Sequence, residues 1–192
     1  MTDANRMARI VEKGVREVYV FATDTLLIDY ANESVRRDTG YTPEELAQRT
    51  PLALMPAFGQ PAFEALIRPL REGSQDIVSF EALHRRKDGS TYPVEVSIRF
   101  LADEERPAFV AYVVDITPRR TQEEQLRYLA YYDALTGLPN RVLLHDRLQQ
   151  AVTQADRSGK LVALMFLDLD RFKVINDTLG HRTGDLVLAA AA

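Results

Sequence analysis

The stretch IVSFEALHRRKDGSTYPVEVSIRF, residues 77–100, holds two β-rich runs around a turn signal. Ile77–Arg86 and Thr91–Phe100 flank Lys87-Asp88-Gly89-Ser90. An Asp-Gly pair suits a tight primed turn, whose two central residues take positive φ. In the second run Tyr92, Val94, Val96 and Ile98 alternate with Pro93, Glu95, Ser97 and Arg99. Strand side chains point to opposite faces in turn, so this predicts an antiparallel strand with one face buried.

Upstream, Phe63, Leu66, Ile67 and Leu70 share one face of a helix that runs to about Gly73. Pro51, Pro56 and Pro61 keep the preceding helical pieces short. Thr42-Pro43-Glu44-Glu45 is a helix start with Pro in the first turn, Asn32 an N-cap and Gly40 a stop. Before these, Glu17–Thr23 and Leu26–Ala31 predict two strands joined by a short Asp24–Thr25 turn. Asp3–Lys13 predicts a short helix closed by Gly14 in the left-handed conformation. Downstream, a charged loop, Asp103–Arg106, leads to one more strand, Phe109–Ile116. The order is β-β-α-α-α-β-β-β, an α+β domain on an antiparallel sheet.

That order, with DYANES, GYTPEEL, RRKDGSTYPVEVS and the closing VVDITPRR, resembles a PAS sensor domain from Val15 to Thr117. The resemblance implies a five-stranded antiparallel sheet with short helices against it. One departure is plain: the family's first turn usually carries a glycine, and Thr25-Leu26 stands there. A slightly altered turn is expected.

With 192 residues the chain has room for one full domain and part of a second. Hydrophobic residues at 46% and charged residues at 27% exclude disorder as a whole-chain reading. A net charge of -4 offers no footprint for nucleic acid or an anionic membrane. With no cysteine there is no disulfide framework, thiolate zinc site or thiol catalysis. No signal-peptide core opens the sequence, and no apolar run nears the ~20 residues that span a bilayer. A soluble, cytoplasmic fragment without membrane contact of its own is expected.

Thr117–Tyr132 (TPRRTQEEQLRYLAYY) reads as a polar helix leaving the first domain. Its heptad seam is one repeat deep, too short to predict a coiled coil from periodicity. The PAS resemblance implies a signalling helix that pairs in a homodimer. The segments expected are thus an N-terminal helix (1–14), the sensor domain (15–117), a connector (118–132) and a second domain (133–192).

From Asp133 the texture changes. DALTGLPNR punctuates the chain, and Leu144, Leu148, Ala151, Val152 and Ala155 then share a helix face until Gly159. Leu161–Leu167 (LVALMFL) predicts a strand covered on both faces, ending in Asp168-Leu169-Asp170 before a helix over 171–179. Carboxylates at i and i+2 on a strand project to one side, and the carboxyl end of a buried strand is where open α/β sheets bind ligands. Hard oxygen donors suit Mg²⁺. Spacing alone favours Asp170 as a helix cap and Asp168 as a solvated strand end, because such caps far outnumber metal sites.

DALTGLPNR followed by FLDLDRFKVINDTLGHRTGD closely resembles the opening of a GGDEF domain, the diguanylate cyclase family. By position, the resemblance implies Mg²⁺ at Asp168 and the Leu169 backbone carbonyl, with Asp170 orienting or capping beside them. It implies phosphate contacts at Arg171 and Phe172 and charge neutralisation by Lys173. Asn176 and Asp185 match the residues that read guanine, and His181 a position of substrate contact. Each has a plain alternative: Lys173, Asn176 and Asp177 as exposed helix residues, His181 as part of the turn after Gly180, Asp185 as a helix cap. The family's signature loop begins Gly-Gly, and none of the nine glycines here are adjacent. The chain ends at Ala192 before such a loop, so cyclase activity is not expected of it. In the parent protein the implied reaction is two GTP to cyclic di-GMP and two pyrophosphates. The alternative is a PAS dimerisation or ligand-binding module on a degenerate GGDEF domain, with or without a downstream phosphodiesterase.

For the sensor, the lack of cysteine excludes cysteinyl–flavin photochemistry. His84, on a strand beside the hairpin, is expected at the surface, which disfavours haem. A small metabolite, a non-covalent flavin or no ligand stay open.

Overall fold

The computed structural model describes residues 3–102 and 105–192, so the expected loop Asp103–Arg106 falls partly outside the described residues. Helix α1 (Asp3–Glu12) leads to strand β1 (Glu17–Ala22), which pairs antiparallel with β2 (Ile28–Ala31). Helices α2 (Glu33–Thr39), α3 (Pro43–Leu46), α4 (Pro51–Leu54) and α5 (Gln60–Arg71) follow. Strands β3 (Val78–Arg85), β4 (Thr91–Leu101) and β5 (Ala108–Asp115) complete a five-stranded antiparallel sheet, ordered β2-β1-β5-β4-β3. The three expected helical pieces are four, because Pro51 in a first turn starts a separate one-turn α4.

The first and last strands are neighbours, with Glu17 opposite Val113. The chain therefore enters β1 from α1 and leaves β5 for α6 (Thr117–Tyr131) at one end of the sheet. Asp115 lies opposite Val94 and Arg85 opposite Thr91, so the β3–β4 hairpin tip is at that end too.

The alternation in β4 holds: Tyr92, Val94, Val96 and Ile98 are buried. With Tyr19, Phe21, Phe109 and Ala111 they face Val35, Leu54, Met55, Phe63 and Ile67 from the helices. Phe21 stacks on Phe109 at 5.1 Å and meets Phe63 at 6.1 Å. Burying each such side chain contributes about 1.5–3 kcal/mol, so this layer carries most of the unit's stability. Phe63, Ile67 and Leu70 form the expected buried stripe of α5, with Leu66 half-buried at its edge.

The local signals resolve one by one. Asn32 caps α2, Gly40 ends it at φ 77°, and Thr42 with Glu45 forms a capping box on α3. In the hairpin only Gly89 takes positive φ (88°). Its N–H donates to Arg86 O at 3.0 Å, and the Arg86 N–H donates to Ser90 O at 2.8 Å. That is a type I turn followed by a left-handed glycine, a three-residue loop instead of the expected primed turn. At the altered first turn Leu26 itself takes φ 58° while its side chain is buried. Gly14 is not left-handed; it is needed for space, since a Cβ there would stand 3.2 Å from both Ile10 O and Val11 O.

The structure divides into two units, one through Arg119 and one from Arg120. In the second, α7 (Arg141–Ser158) is capped by Asn140, whose side chain accepts from Val142 N and Leu143 N, and is ended by Gly159 at φ 66°. Of its expected apolar face Leu148, Ala151 and Ala155 are half-buried, whereas Leu144 and Val152 are exposed. Leu161–Leu167 is not a strand. A ladder needs a neighbouring strand, and no described residue pairs with this run, so Met165, Phe166 and Leu167 lie exposed. Helices α8 (Phe172–Leu179) and α9 (His181–Ala191) then pack on each other.

Candidate functional site

Two places gather polar side chains of the kind function requires. The first is inside the sheet, at the end where α1 and α6 join it. Glu17, the first residue of β1, points inward and is buried, as is His84 of β3. Tyr92 of β4 donates to Glu17 Oε1 at 2.9 Å. His84 Nδ1 stands 3.8 Å from Glu17 Oε2, and the His84 ring meets Tyr92 edge-on at 5.7 Å. Arg86 covers the outer face of the Tyr92 ring at 4.0 Å. Burial pushes the Glu17 carboxyl up to about 8, against the hydrogen bond from Tyr92, which lowers it. Burial lowers the His84 imidazole to about 4 and raises the Tyr92 and Tyr19 hydroxyls above the ordinary tyrosine value. Burial thus favours the neutral form of both side chains. The expectation of a surface His84 is corrected: it alternates with exposed Leu83 and Arg85, and that register turns it to the core face.

The second place is the α8–α9 pair. Asp168 and Leu169 are exposed in the irregular run before α8. Asp170 does not cap the helix; Arg171 holds the N-cap position at φ 59°, with no side-chain capping bond. Phe172 and Asn176, one turn apart on α8, both face Gly184 of α9. Lys173 is exposed in the first turn of α8. His181 opens α9 and Asp185 lies inside it, so neither plain alternative, a turn at His181 or a cap at Asp185, is seen. The fold thus brings Phe172, Asn176 and the backbone beside Asp185 together, and leaves Asp168 and Leu169 on a separate run before them.

The PAS domain family model matches residues 17–118. This chain belongs to the PAS domain family. Residues 130–192 match the model described as diguanylate cyclase, GGDEF domain. Among curated relatives, the probable diguanylate cyclase DgcE of Escherichia coli K12 is 34% identical over 187 residues, covering 93% of this chain and 16% of that protein. MucR of Pseudomonas aeruginosa, a bifunctional diguanylate cyclase/cyclic di-GMP phosphodiesterase, is 53% identical over 68 residues, 35% of this chain and 10% of that protein. The chain thus spans less than a fifth of either. Among solved structures, the PAS domain of an HTR-like protein from Haloarcula marismortui is 25% identical with a TM-score of 0.53, covering 59% of this chain and 91% of that one.

In this PAS domain the space between helices and sheet is filled by Leu54, Met55, Phe63 and Ile67. The Glu17–His84–Tyr92 cluster had a signal in the sequence: a glutamate at the first of the alternating inward positions of EVYVFA. Among the described residues no helix is long and apolar enough to cross a membrane, and no three His, Cys, Asp or Glu side chains gather as a metal site.

Proposed function

We propose that this chain is the sensory part and the start of the catalytic part of a PAS-regulated diguanylate cyclase, a protein that converts two GTP to cyclic di-GMP and two pyrophosphates. The observation that carries this reading is the juxtaposition of a PAS fold with a GGDEF match over residues 130–192 in one chain. The 34% identity to DgcE across both segments supports the same order of parts. The PAS domain spans residues 15–117, residues 118–132 connect, and the GGDEF portion begins at 133. The connector and the PAS sheet pair two copies of the chain, and a change in that pairing alters how two GTP-bearing domains meet.

Within the GGDEF portion, Asn176 and Asp185 hold the guanine. A carboxylate accepts hydrogen bonds from N1–H and the exocyclic amine, and the amide completes the edge. His181 adds a contact to the nucleotide. Arg171 and Phe172 turn backbone N–H groups to the phosphates at the start of α8, where the helix dipole favours anions; that of Phe172 leaves the 3.2 Å bond it makes to Leu169 O. Lys173, exposed in the same turn, neutralises charge on the transferring phosphate. The donors before α8 suit Mg²⁺, which takes one or two carboxylates together with substrate phosphates: Asp168 supplies the carboxylate and Leu169 its carbonyl. Bound there, Mg²⁺ would offset the phosphate charge during 3′-hydroxyl attack.

The test is nucleotide binding by a protein carrying the whole GGDEF domain. Asn176→Ala or Asp185→Ala lowers guanine-nucleotide affinity by roughly 10- to 100-fold, as losing a hydrogen bond to a charged or buried group does. Unchanged affinity overturns the base-reading assignment, and full activity in Asp168→Asn overturns the metal assignment.

A further inference from the structure

The buried end of the PAS sheet holds more polar atoms than its hydrogen bonds satisfy. Glu17 Oε2, both His84 nitrogens and the Tyr19 hydroxyl have no hydrogen-bond partner among the described residues. Buried polar atoms are normally paired, and a cluster of unpaired ones in a native core asks for a reason. A shared proton accounts for two of these four atoms, Glu17 Oε2 and His84 Nδ1. A neutral carboxyl has one O–H to donate and a neutral imidazole has one ring nitrogen to accept. Glu17 Oε2 and His84 Nδ1, 3.8 Å apart, are the two atoms between which such a proton fits after a small closing movement.

We propose that Glu17, His84 and Tyr92 form a buried proton-binding site, and that loss of its proton to solvent loosens the sheet end from which α1 and α6 depart, making the PAS domain an input for rising pH. The ligand is the proton itself. When it leaves, the O–H bond of Glu17 breaks and a carboxylate remains in a dry site. The groups facing it do little to hold that charge. Tyr92 of β4 donates one hydrogen bond, and Arg86 of the hairpin and Arg37 of α2 lie farther off. Asp38 of α2 and Asp115 of β5 repel it, and Tyr19 beside it on β1 makes no hydrogen bond to it. The position of Glu17 near pH 8 puts the change within reach of cellular conditions.

The consequence follows from register. Glu17 pairs with Val113. Two residues on, Asp115 Oδ1 accepts from Thr117 N at 2.7 Å, and Ile116 N–H donates to Pro93 O at 3.0 Å. These bonds fix the start of α6. On the other side Asn32 Nδ2 donates to Val11 O and Arg16 O, tying the end of α1 to the same corner. A carboxylate that escapes to water at Glu17 must part these strands first.

The experiment uses the 192-residue chain. Infrared spectra across pH 6–9.5 follow the protonated-carboxyl stretch, and amide hydrogen exchange follows β1, β5 and the first turn of α6. Glu17→Gln, neutral at every pH, is the control. The expected result is a carboxyl signal at pH 7, absent in Glu17→Gln and lost near pH 8. Exchange at the named amides should then accelerate roughly tenfold or more beyond that of the variant between pH 6.5 and 9. A missing carboxyl signal at pH 7, or exchange profiles that coincide for the two proteins, overturns the proposal. Should Glu17→Gln fail to fold, carbon NMR of the glutamate carboxyls in the unaltered chain decides: one titrating near pH 8 supports it, and all titrating below pH 6 overturns it.

Discussion

Asn176 Oδ1 occupies the space that a Cβ on Gly184 would need: an added methyl would stand 1.8 Å from it and 3.3 Å from the Phe172 ring. Glycine at 184 lets α8 and α9 approach until the Asn176 amide lies against α9, next to Asp185.

Gly184→Ala is therefore expected to move a side chain more than it harms the fold. The obstructing atom is the far end of a flexible amide, and alanine gains about 1 kcal/mol of helix propensity over glycine. Unfolding by urea should shift by no more than about 1 kcal/mol. In a protein carrying the whole GGDEF domain, guanine-nucleotide affinity should fall about tenfold, for want of one well-placed hydrogen bond. Equal affinity in the two proteins would remove Asn176 from the site.

Asn32 uses all of its hydrogen-bonding capacity. Oδ1 accepts from Val18 N at 3.0 Å and Val35 N at 3.2 Å, while Nδ2 donates to Val11 O at 3.0 Å and Arg16 O at 2.8 Å. Asn32→Asp keeps the acceptor and turns the donor into a second carboxylate oxygen facing two carbonyls. A loss of about 2–4 kcal/mol is expected, from two orphaned carbonyls and a buried charge. The urea midpoint measures it, and a change below ~1 kcal/mol would show that the network is not what joins α1 to the sheet.

Much of this was legible beforehand, where a residue's role is local. The alternation in β4, the cap at Asn32, the box at Thr42 and the stop at Gly40 depend on neighbours a few positions away. What misled depended on distant partners. LVALMFL has the composition of a buried strand, yet a strand exists only beside another. His84 looked exposed because it sits next to a turn, and its face is set by pairing with Tyr92. The α8–α9 residues are legible through the motif they share with the GGDEF family; that Gly184 lets Asn176 approach is a packing fact no single-residue signal carries.

Leu26 sets two effects against each other. Its left-handed backbone costs about 1–2 kcal/mol, which glycine would relieve. Its side chain is only 6% exposed, and truncating a buried leucine costs about 2–5 kcal/mol. Burial wins, so Leu26→Gly is expected to destabilise by about 1–3 kcal/mol net, read by thermal and urea unfolding. A stabilised variant would mean that the turn strain is the larger quantity.

Glu81 and Glu95 lie directly opposite each other on the outer face of the sheet, and Arg119 of α6 reaches both, at 2.9 and 3.5 Å. All three side chains are about half exposed, so solvent screens the attraction to about 0–1 kcal/mol. Arg119→Ala should scarcely move the unfolding midpoint. It should nevertheless speed exchange at the start of α6, where Thr117 N–H donates to Asp115 Oδ1 at 2.7 Å, since Arg119 no longer bridges the two facing carboxylates. The same acceleration should appear in the unaltered chain at 1 M salt, where the Debye length is about 3 Å. No acceleration in either case would separate α6 from the sheet face.

The two buried titratable groups pull stability in opposite directions with pH. His84 titrates near 4 when folded and near 6.5 when unfolded, so the unfolded chain binds more protons between those values. Its contribution is present above pH 6.5 and is lost as pH falls toward 4. Glu17 titrates near 8 when folded and near 4.5 when unfolded, so the folded chain binds more protons in that window. Its contribution is present below pH 4.5 and is lost as pH rises toward 8. Between 4.5 and 6.5 the slopes cancel, and above 6.5 only that of Glu17 remains. Relative to the unaltered chain, Glu17→Gln should lose Tm more steeply as pH falls from 6.5 to 4.5, and should hold it from 6.5 to 8 where the unaltered chain declines. His84→Phe should do the reverse on the acid side, gaining Tm relative to the unaltered chain as pH falls from 6.5 toward 4. Calorimetry at fixed ionic strength compares the three, and surface carboxylates common to all cancel in the differences. Parallel profiles for the unaltered chain and Glu17→Gln would mean that Glu17 is charged in the folded protein, and the buried proton would have to be abandoned.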